Sequence, residues 1–447
     1  MPLLNYPQKN KKIILALGPE SAGNFSVCFL GKIFFSENFG DLLDEKNYKN
    51  FQKSVLNFLE KNKKKNKIKP DIILTDLHPL YKTTIWGKEL AKKFKAQHIQ
   101  IQHHLAHIFS CYGEQLLKKQ NSLRVTRYAL RDFIGLACDG TGYGLDGKIW
   151  GGEIFKISNL FPISNKTPNP KSQIIRIGHL ENQIMIGGDL AIKEPARMLI
   201  SILDKIKNQK LVPSEVEGSK IKMTNQNFSQ RLTSLWLAKF KKNFIYHYIK
   251  KYYTKNQFEL LYNQLQQNFN CVETSGTGRI LDAVSILLGF CKNERNYKHE
   301  PINLLEKNSS KPYTNIKPQI EILKNNPISN FQFPIFNEFS MIKFSKNNYI
   351  LNTTFLFEYL IKNLHRDKKR LAATSQLYIA QGLYEIIKKL QAKKLQAVFA
   401  GGLANNKIIS NYLKSKDVYI NKKIPCGDAS LSFGQIAYCI FNDLDIK

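Results

Sequence analysis

The chain has 447 residues, 43% hydrophobic and 11% aromatic, enough apolar material for more than one buried core. It carries 67 Lys and Arg against 35 Asp and Glu, a net charge of +32, and no run long and apolar enough for a transmembrane helix. Seven scattered cysteines without a CxxC pair exclude a disulfide framework and a cysteine zinc finger, and point to reduced thiols.

A charge of this size attracts polyanions. Lys and Asn are nevertheless spread through the whole chain. The densest run, Lys61–Lys67, lies between a helical pattern and a strand, where a solvated loop is expected. The charge alone therefore does not make nucleic acid the expected partner. The opening MPLLNYPQKNKK lacks the pattern of a signal peptide, so the expected location is the cytoplasm.

Lys12–Leu17 reads as a buried strand that ends in the turn Gly18–Asn24. Two short strands follow, Phe25–Phe29 and Lys32–Phe35, then a helix over about 48–62. Backbone N–H groups in such a first turn can face an anion. Pro70–Thr75 is the next strand, leading into Asp76-Leu77-His78-Pro79 with Tyr81 and Thr84. A carboxylate there is either a functional group at a strand end or the cap of the helix at about 83–95. Alternation over His98–Gln102 then gives a strand that runs straight into His103-His104-Leu105-Ala106-His107. If a helix begins here, His103 and His107 share one face, the spacing one helix offers a metal ion.

Phe133–Cys138 opens a second series of the same style. It delivers Asp139-Gly140-Thr141-Gly142-Tyr143-Gly144, a loop able to cradle phosphate, while Asp146-Gly147 marks a hairpin that can carry that loop. Gly187-Gly188-Asp189 precedes a helix predicted over 190–205, where Asp189 can cap the helix or bond a ribose hydroxyl. The segment 208–222 breaks all periodicity and reads as an exposed insertion. Helical segments over about 225–270 follow, then Thr274–Arg279 opening a strongly apolar helix, Ile280–Phe290. Residues 308–326 read as loop. A helix over 373–390, a strand 397–400 ending in Gly401-Gly402 with Asn405, a strand 418–420 and a loop with Asp428 lead to a closing helix at 429–440.

Taken together these segments resemble the Kae1-like carbamoyltransferase domain of the HypF family, which serves [NiFe] hydrogenase maturation. The matching residues are Asp76-Leu77-His78-Pro79, Gln102–His107, Asp139–Gly144 with Trp150-Gly151-Gly152-Glu153, Gly187–Asp189 with Glu194-Pro195 and Arg197, Gly278-Arg279, Gly401-Gly402 and Asp428. The resemblance implies a two-lobed actin-like (ASKHA) α/β fold, a duplicated ribonuclease-H-like unit. Its lobes would be 1–130 and 131–447, with insertions at about 205–275 and 295–345. It implies a divalent metal, iron or zinc, on His103, His107, Asp139 and Asp428. It implies ATP or carbamoyl-adenylate against Gly140, Thr141, Gly142, Gly188, Asp189, Gly276, Gly401, Gly402 and Asn405, with Asp139 and Arg279 catalytic. The implied partners are a HypE-type acceptor protein and a separate YrdC-like activating domain or chain. Within the same superfamily a tRNA threonylcarbamoyl-transferase, a small-molecule O-carbamoyltransferase and a non-catalytic nucleotide-binding scaffold are the alternatives. The sequence departs from the family's pattern near Tyr297, with Lys298, His299 and Pro301, and at Leu377-Tyr378, where the family has Phe-His.

Overall fold

The computed structural model describes residues 3–5, 12–61, 68–120, 132–158, 173–206, 230–324, 342–390 and 395–442. The insertion read at 208–222 lies outside them. The chain divides into two compact units: Met1–His179 with Ile322–Ile350 and Leu383–Lys447, and Leu180–Glu321 with Leu351–Gly382. The lobes expected from the resemblance, 1–130 and 131–447, divide the chain on a different basis.

The first unit opens with β1 (Leu3–Asn5), β2 (Ile14–Ala16), β3 (Ser26–Phe29), β4 (Lys32–Phe35), α1 (Glu45–Lys61), β5 (Ile72–Asp76), α2 (Lys82–Phe94), β6 (Gln97–Ile101) and α3 (His103–Gln120). The six strands form a mixed sheet in the order β1-β4-β3-β2-β5-β6. β2, β5 and β6 run parallel, and β2-β3-β4 is an antiparallel meander. Both faces of β2 are buried, which is why Lys12–Leu17 shows no alternation. Leu15 and Leu17 face α1 and α2, where Phe51, Val55 and Leu59 recur every four residues. Ile14 and Ala16 face the other way, into a second core.

A second sheet begins with β7 (Phe133–Tyr143), β8 (Ile149–Ser158) and β9 (Gln173–Leu180). The second unit then holds β10 (Gln183–Ile186), α4 (Leu190–Lys193), α5 (Ala196–Lys205), α6 (Gln230–Ile249), α7 (Lys255–Gln266), β11 (Cys271–Thr274), α8 (Thr277–Leu288) and α9 (Glu300–Lys307). After β12 (Ile320–Lys324) come β13 (Ile342–Leu351), α10 (Thr353–Lys362), α11 (Lys368–Leu390), β14 (Gln396–Ala400), α12 (Lys407–Lys414), β15 (Tyr419–Ile420) and α13 (Leu431–Phe441). The second sheet includes the run β13-β9-β8-β7-β14-β15. β7, β14 and β15 are parallel neighbours, while β7-β8-β9 is antiparallel.

Inside the first unit, α3 and α13 share one core with both sheets. Leu105, Phe109 and Tyr112 of α3 meet Phe433, Ile436 and Phe441 of α13, with Ile72 and Leu74 from one sheet and Phe133 and Val398 from the other. The two helices touch backbone to backbone. A Cβ on Gly434 would fall 1.8 Å from the Ala106 carbonyl oxygen, so only glycine fits there.

Two expectations change. The helix read over 190–205 is two helices, α4 and α5, parted at Glu194-Pro195. The helical φ of the residue before a proline is disfavoured, and the pattern ran across the break because both helices bury their apolar residues. The loop read over 308–326 contains β12, a strand with its side chains mostly exposed, which left no alternation to find. Among the described residues no helix is long and apolar enough to cross a membrane.

His98 gives a stability prediction. Its Nε2 lies 2.9 Å from Thr75 Oγ1, and burial, helped by the Lys88 charge, pushes its pKa down to about 4 from 6.5. The neutral ring is the folded form, so its contribution is complete above pH 6.5 and is lost as pH falls toward 4. Equilibrium unfolding should show His98→Gln flattening this acid loss by roughly 2 kcal/mol, after discounting for partial exposure.

Candidate metal centre

Three segments of the first unit deliver the four residues of the site. β6 ends at Ile101, and the chain turns into α3 at His103, so His103 and His107 stand one helical turn apart. β7 has an irregularity: Cys138 pairs with Gly152 but Gly142 pairs with Trp150. Three residues, Asp139–Thr141, therefore oppose one, and such a bulge re-aims side chains. Asp139 is turned onto His107, with Oδ2 2.9 Å from Nε2. Asp428 comes from the short 3-10 turn before α13. Its Oδ1 is 3.6 Å from His103 Nε2 and 3.5 Å from His107 Nε2, and Asp139 Oδ2 is 3.7 Å from His103 Nε2. One ligand atom from each of the four residues lies within 4.8 Å of the others.

His103, His107 and Asp139 are buried. Burial disfavours the imidazolium of His103, but the Asp76 charge and hydrogen bond, with the carboxylates of Asp139 and Asp428 close by, hold its pKa well above the usual range. His107 is raised likewise against burial, chiefly by its hydrogen bonds to Asp139 and Asp428. Burial and the Asp428 charge both push Asp139 up, yet the bonds from the two histidines hold it below the usual carboxylate range. The site is built for positive charge. His103 Nε2 is buried without a hydrogen-bond partner, and a buried donor or acceptor of that kind calls for a ligand. Two imidazoles and two carboxylates converging on one point fit zinc or iron better than magnesium.

The second layer explains the orientation. Asp76 is not a helix cap: α2 begins after Tyr81 without a side-chain cap. Asp76 Oδ1 instead accepts the His78 N–H at 2.9 Å, and Oδ2 lies 2.7 Å from His103 Nδ1. That carboxylate fixes the His103 ring with Nε2 facing the site, an arrangement common behind metal-bound histidines. Ser21 hydrogen-bonds Asp428 Oδ2, and Asn24 Nδ2 donates to the Asp428 carbonyl at 3.2 Å. The first turn, read as a place for an anion, thus also braces the site aspartate.

The glycine loops of the first unit crowd the same residues. The Gly140 N–H donates to Asp139 Oδ1 at 2.7 Å. Gly401 adopts φ 95°, and a Cβ there would lie 2.2 Å from the Cys138 carbonyl oxygen. This close approach seats Gly402 against Asp139 Oδ1. Asn405 closes the turn on the Gly402 carbonyl at 3.2 Å, Thr141 is half-buried in the bulge, and Gly142 packs against His104. Nearby, buried Glu153 pairs with Arg176 at 2.6 Å. Burial and Arg176 oppose each other there, and the net effect holds the carboxyl at about 2.

The remaining predicted residues belong to the second unit. Gly188 is half-buried, and Asp189 is exposed at the start of α4 without a side-chain cap bond. Gly276 stands at the N-terminus of α8, its N–H on Thr274 Oγ1 at 2.9 Å. Arg279 is buried, and its Nη2 lies 2.6 Å from Asp282 Oδ2, an oxygen it shares with Arg295 at 2.6 Å. The departures also have structural duties in this unit. Tyr378 donates to the Asn352 carbonyl at 2.7 Å and accepts the Gln319 N–H at 3.1 Å. The Lys298 carbonyl accepts from Arg295, and Pro301 opens α9.

This mixed-sheet α/β fold is that of a Kae1-like domain. It matches the crystal structure of full-length HypF in the phosphate- and nucleotide-bound form with a TM-score of 0.70, over 99% of this chain and 57% of that one, at 23% identity. T. kodakarensis HypF matches with a TM-score of 0.68 over 98% and 48%, also at 23% identity. The HypF Kae1-like domain model matches residues 9–114, and the model for the carbamoyltransferase Kae1-like domain, second subdomain, matches 135–435. The chain belongs to the HypF Kae1-like carbamoyltransferase family. The probable carbamoyltransferase HypF of Methanocaldococcus jannaschii is 32% identical over 450 residues, covering 97% of this chain and 47% of that protein. Carbamoyltransferase HypF of Synechocystis sp. is 28% identical over 200 residues, 45% of this chain and 22% of its own length. The chain thus spans about half the length, or less, of these curated relatives.

Proposed function

We propose that this chain is the carbamoyl-transferring part of a HypF-type system in hydrogenase maturation. In this reading it moves a carbamoyl group from carbamoyl-adenylate to the C-terminal cysteine thiolate of a HypE-type acceptor. The observation that carries the reading is the convergence of His103, His107, Asp139 and Asp428 within 4.8 Å, in a chain aligned over 97% of its length with a HypF relative. The acceptor sulfur attacks the carbamoyl carbon, the C–S bond forms, the C–O bond to phosphate breaks, and AMP departs.

Iron or zinc held by those four residues supplies a Lewis acid for a carbonyl or phosphoryl oxygen. The chain's own groups do the rest. Asp76 keeps His103 oriented and its Nε2 turned toward the four-residue cluster. The bulge presents Asp139 with its carboxyl ionised. Backbone N–H groups of the glycine loops are donors suited to a nucleotide phosphate, and the nucleotide in one related crystal structure supports that assignment. The nucleophile comes from the acceptor, in keeping with the cysteines here: burial pushes Cys28 and Cys439 up to about 12, far from a reactive thiolate. A YrdC-like domain or chain would make the adenylate.

The test supplies the purified chain with carbamoyl-adenylate and follows the mass of a peptide ending in cysteine. A gain of one carbamoyl group, lost at least a hundredfold in rate with Asp428→Ala, is the expected result. No gain on the peptide, or a gain on tRNA instead, would overturn the acceptor assignment.

A further inference from the structure

The metal ligands come from distant parts of the chain, and something must hold the Asp428 loop in register with α3. Glu114 lies on α3 two turns beyond His107, so it shares that helix face. It is a buried carboxylate that the chemistry above does not use. Its two oxygens accept the N–H groups of Lys422, Lys423 and Ile424 at 2.8–3.1 Å. Tyr419 adds its hydroxyl at 3.1 Å and Asn421 its Nδ2 at 3.3 Å. Asn421 also reaches Ser110 on α3, and the Cys111 thiol meets the Tyr419 carbonyl at 3.5 Å. Every one of these partners lies in 419–424, directly before the turn that delivers Asp428.

We propose that Glu114 is a positioning residue for the metal centre: it rivets the Asp428 loop to the helix that carries His103 and His107. The inference rests on the reading of those four residues as metal ligands. An ionised carboxylate is the one side chain that accepts three successive backbone N–H groups with both oxygens. Without it those amides lose their partners, and the loop is free to carry Asp428 away from the histidines. Supporting groups of this kind set ligand geometry, and their removal weakens metal affinity about tenfold to a hundredfold.

The experiment titrates the full chain with zinc against a chromophoric chelator and follows amide hydrogen exchange in the metal-free protein. In Glu114→Gln the amide NH2 faces N–H donors. Zinc affinity should fall by about ten- to a hundredfold, and exchange at Lys422, Lys423 and Ile424 should accelerate while β5 stays protected. A folded Glu114→Gln with wild-type zinc affinity overturns the proposal. Should that variant not fold, Glu114→Asp keeps the charge but withdraws the carboxylate by one methylene from the Lys422, Lys423 and Ile424 amides. It should lower affinity in the same direction, and wild-type affinity there overturns the proposal equally. A wild-type chain that takes up no zinc sinks the ligand reading and this one with it, whereas zinc binding insensitive to Glu114 sinks this one alone.

Discussion

His103→Ala combined with His107→Ala should take the purified chain from one bound transition-metal ion to none. The effect is large because both imidazoles point their Nε2 atoms at the two carboxylates, with separations of 2.9–3.7 Å. Two carboxylates alone are a poor site for zinc or iron, since the softer nitrogen donors supply the selectivity. The double variant also leaves Asp76 buried without its histidine partner, so it will be less stable than the parent. His98→Gln is the matched control: it alters a half-buried histidine in contact with Thr75, outside the four-residue cluster, and should retain the ion. Elemental analysis of protein purified in parallel gives the answer. Retention of metal by the double variant would remove the assignment.

The second large effect is expected at Gly434, on the helix that follows Asp428 and remote in sequence from His103, His107 and Asp139. A Cβ there would overlap the Ala106 carbonyl oxygen at 1.8 Å, and Ala106 lies between the two histidines on α3. Even alanine must push α13 away from α3. The shared core of Leu105, Phe109, Phe433 and Ile436 would open with it. Overpacking of this kind typically costs 1–3 kcal/mol, and a clash with backbone belongs at or above the upper end, so about 3 kcal/mol or more is expected for Gly434→Val. Urea unfolding measures the loss, and a zinc titration of Gly434→Ala should show weakened binding as α3 shifts. Wild-type stability in both variants would contradict the close helix contact.

The site was legible in the sequence to the extent that it is local. A strand pattern running into HxxxH placed His103 and His107 on one helix face, and glycine-bearing strand ends picked out Asp139 and Asp428. Apolar runs ending in turns marked the individual strands, and the two-lobed α/β fold was what the family resemblance implied. What was not legible is held by contacts between residues remote in the chain. Asp76 could be read as a cap or a functional group, and only the pairing of β5 with β6 sets it behind His103. Ser21 lies in a turn that could be read for its backbone alone, and its bond to Asp428 spans 407 positions. Glu114 looks like any polar residue on an amphipathic helix until the loop at 419–424 folds onto it. Arg279 could be singled out as a charged group in a glycine loop, yet its tie to Asp282 and Arg295 depends on how α8 is buried. Segments such as β12 escape because exposed strands carry no periodic signature.

His103, His107, Asp139 and Asp428 are expected to bind one metal ion together. X-ray absorption at the metal edge of the zinc-loaded chain tests it most directly. Nitrogen and oxygen donors only are expected, at about 2.0–2.2 Å, with the outer-shell scattering of imidazole rings. A sulfur shell at about 2.3 Å would place the metal on cysteines instead and contradict it.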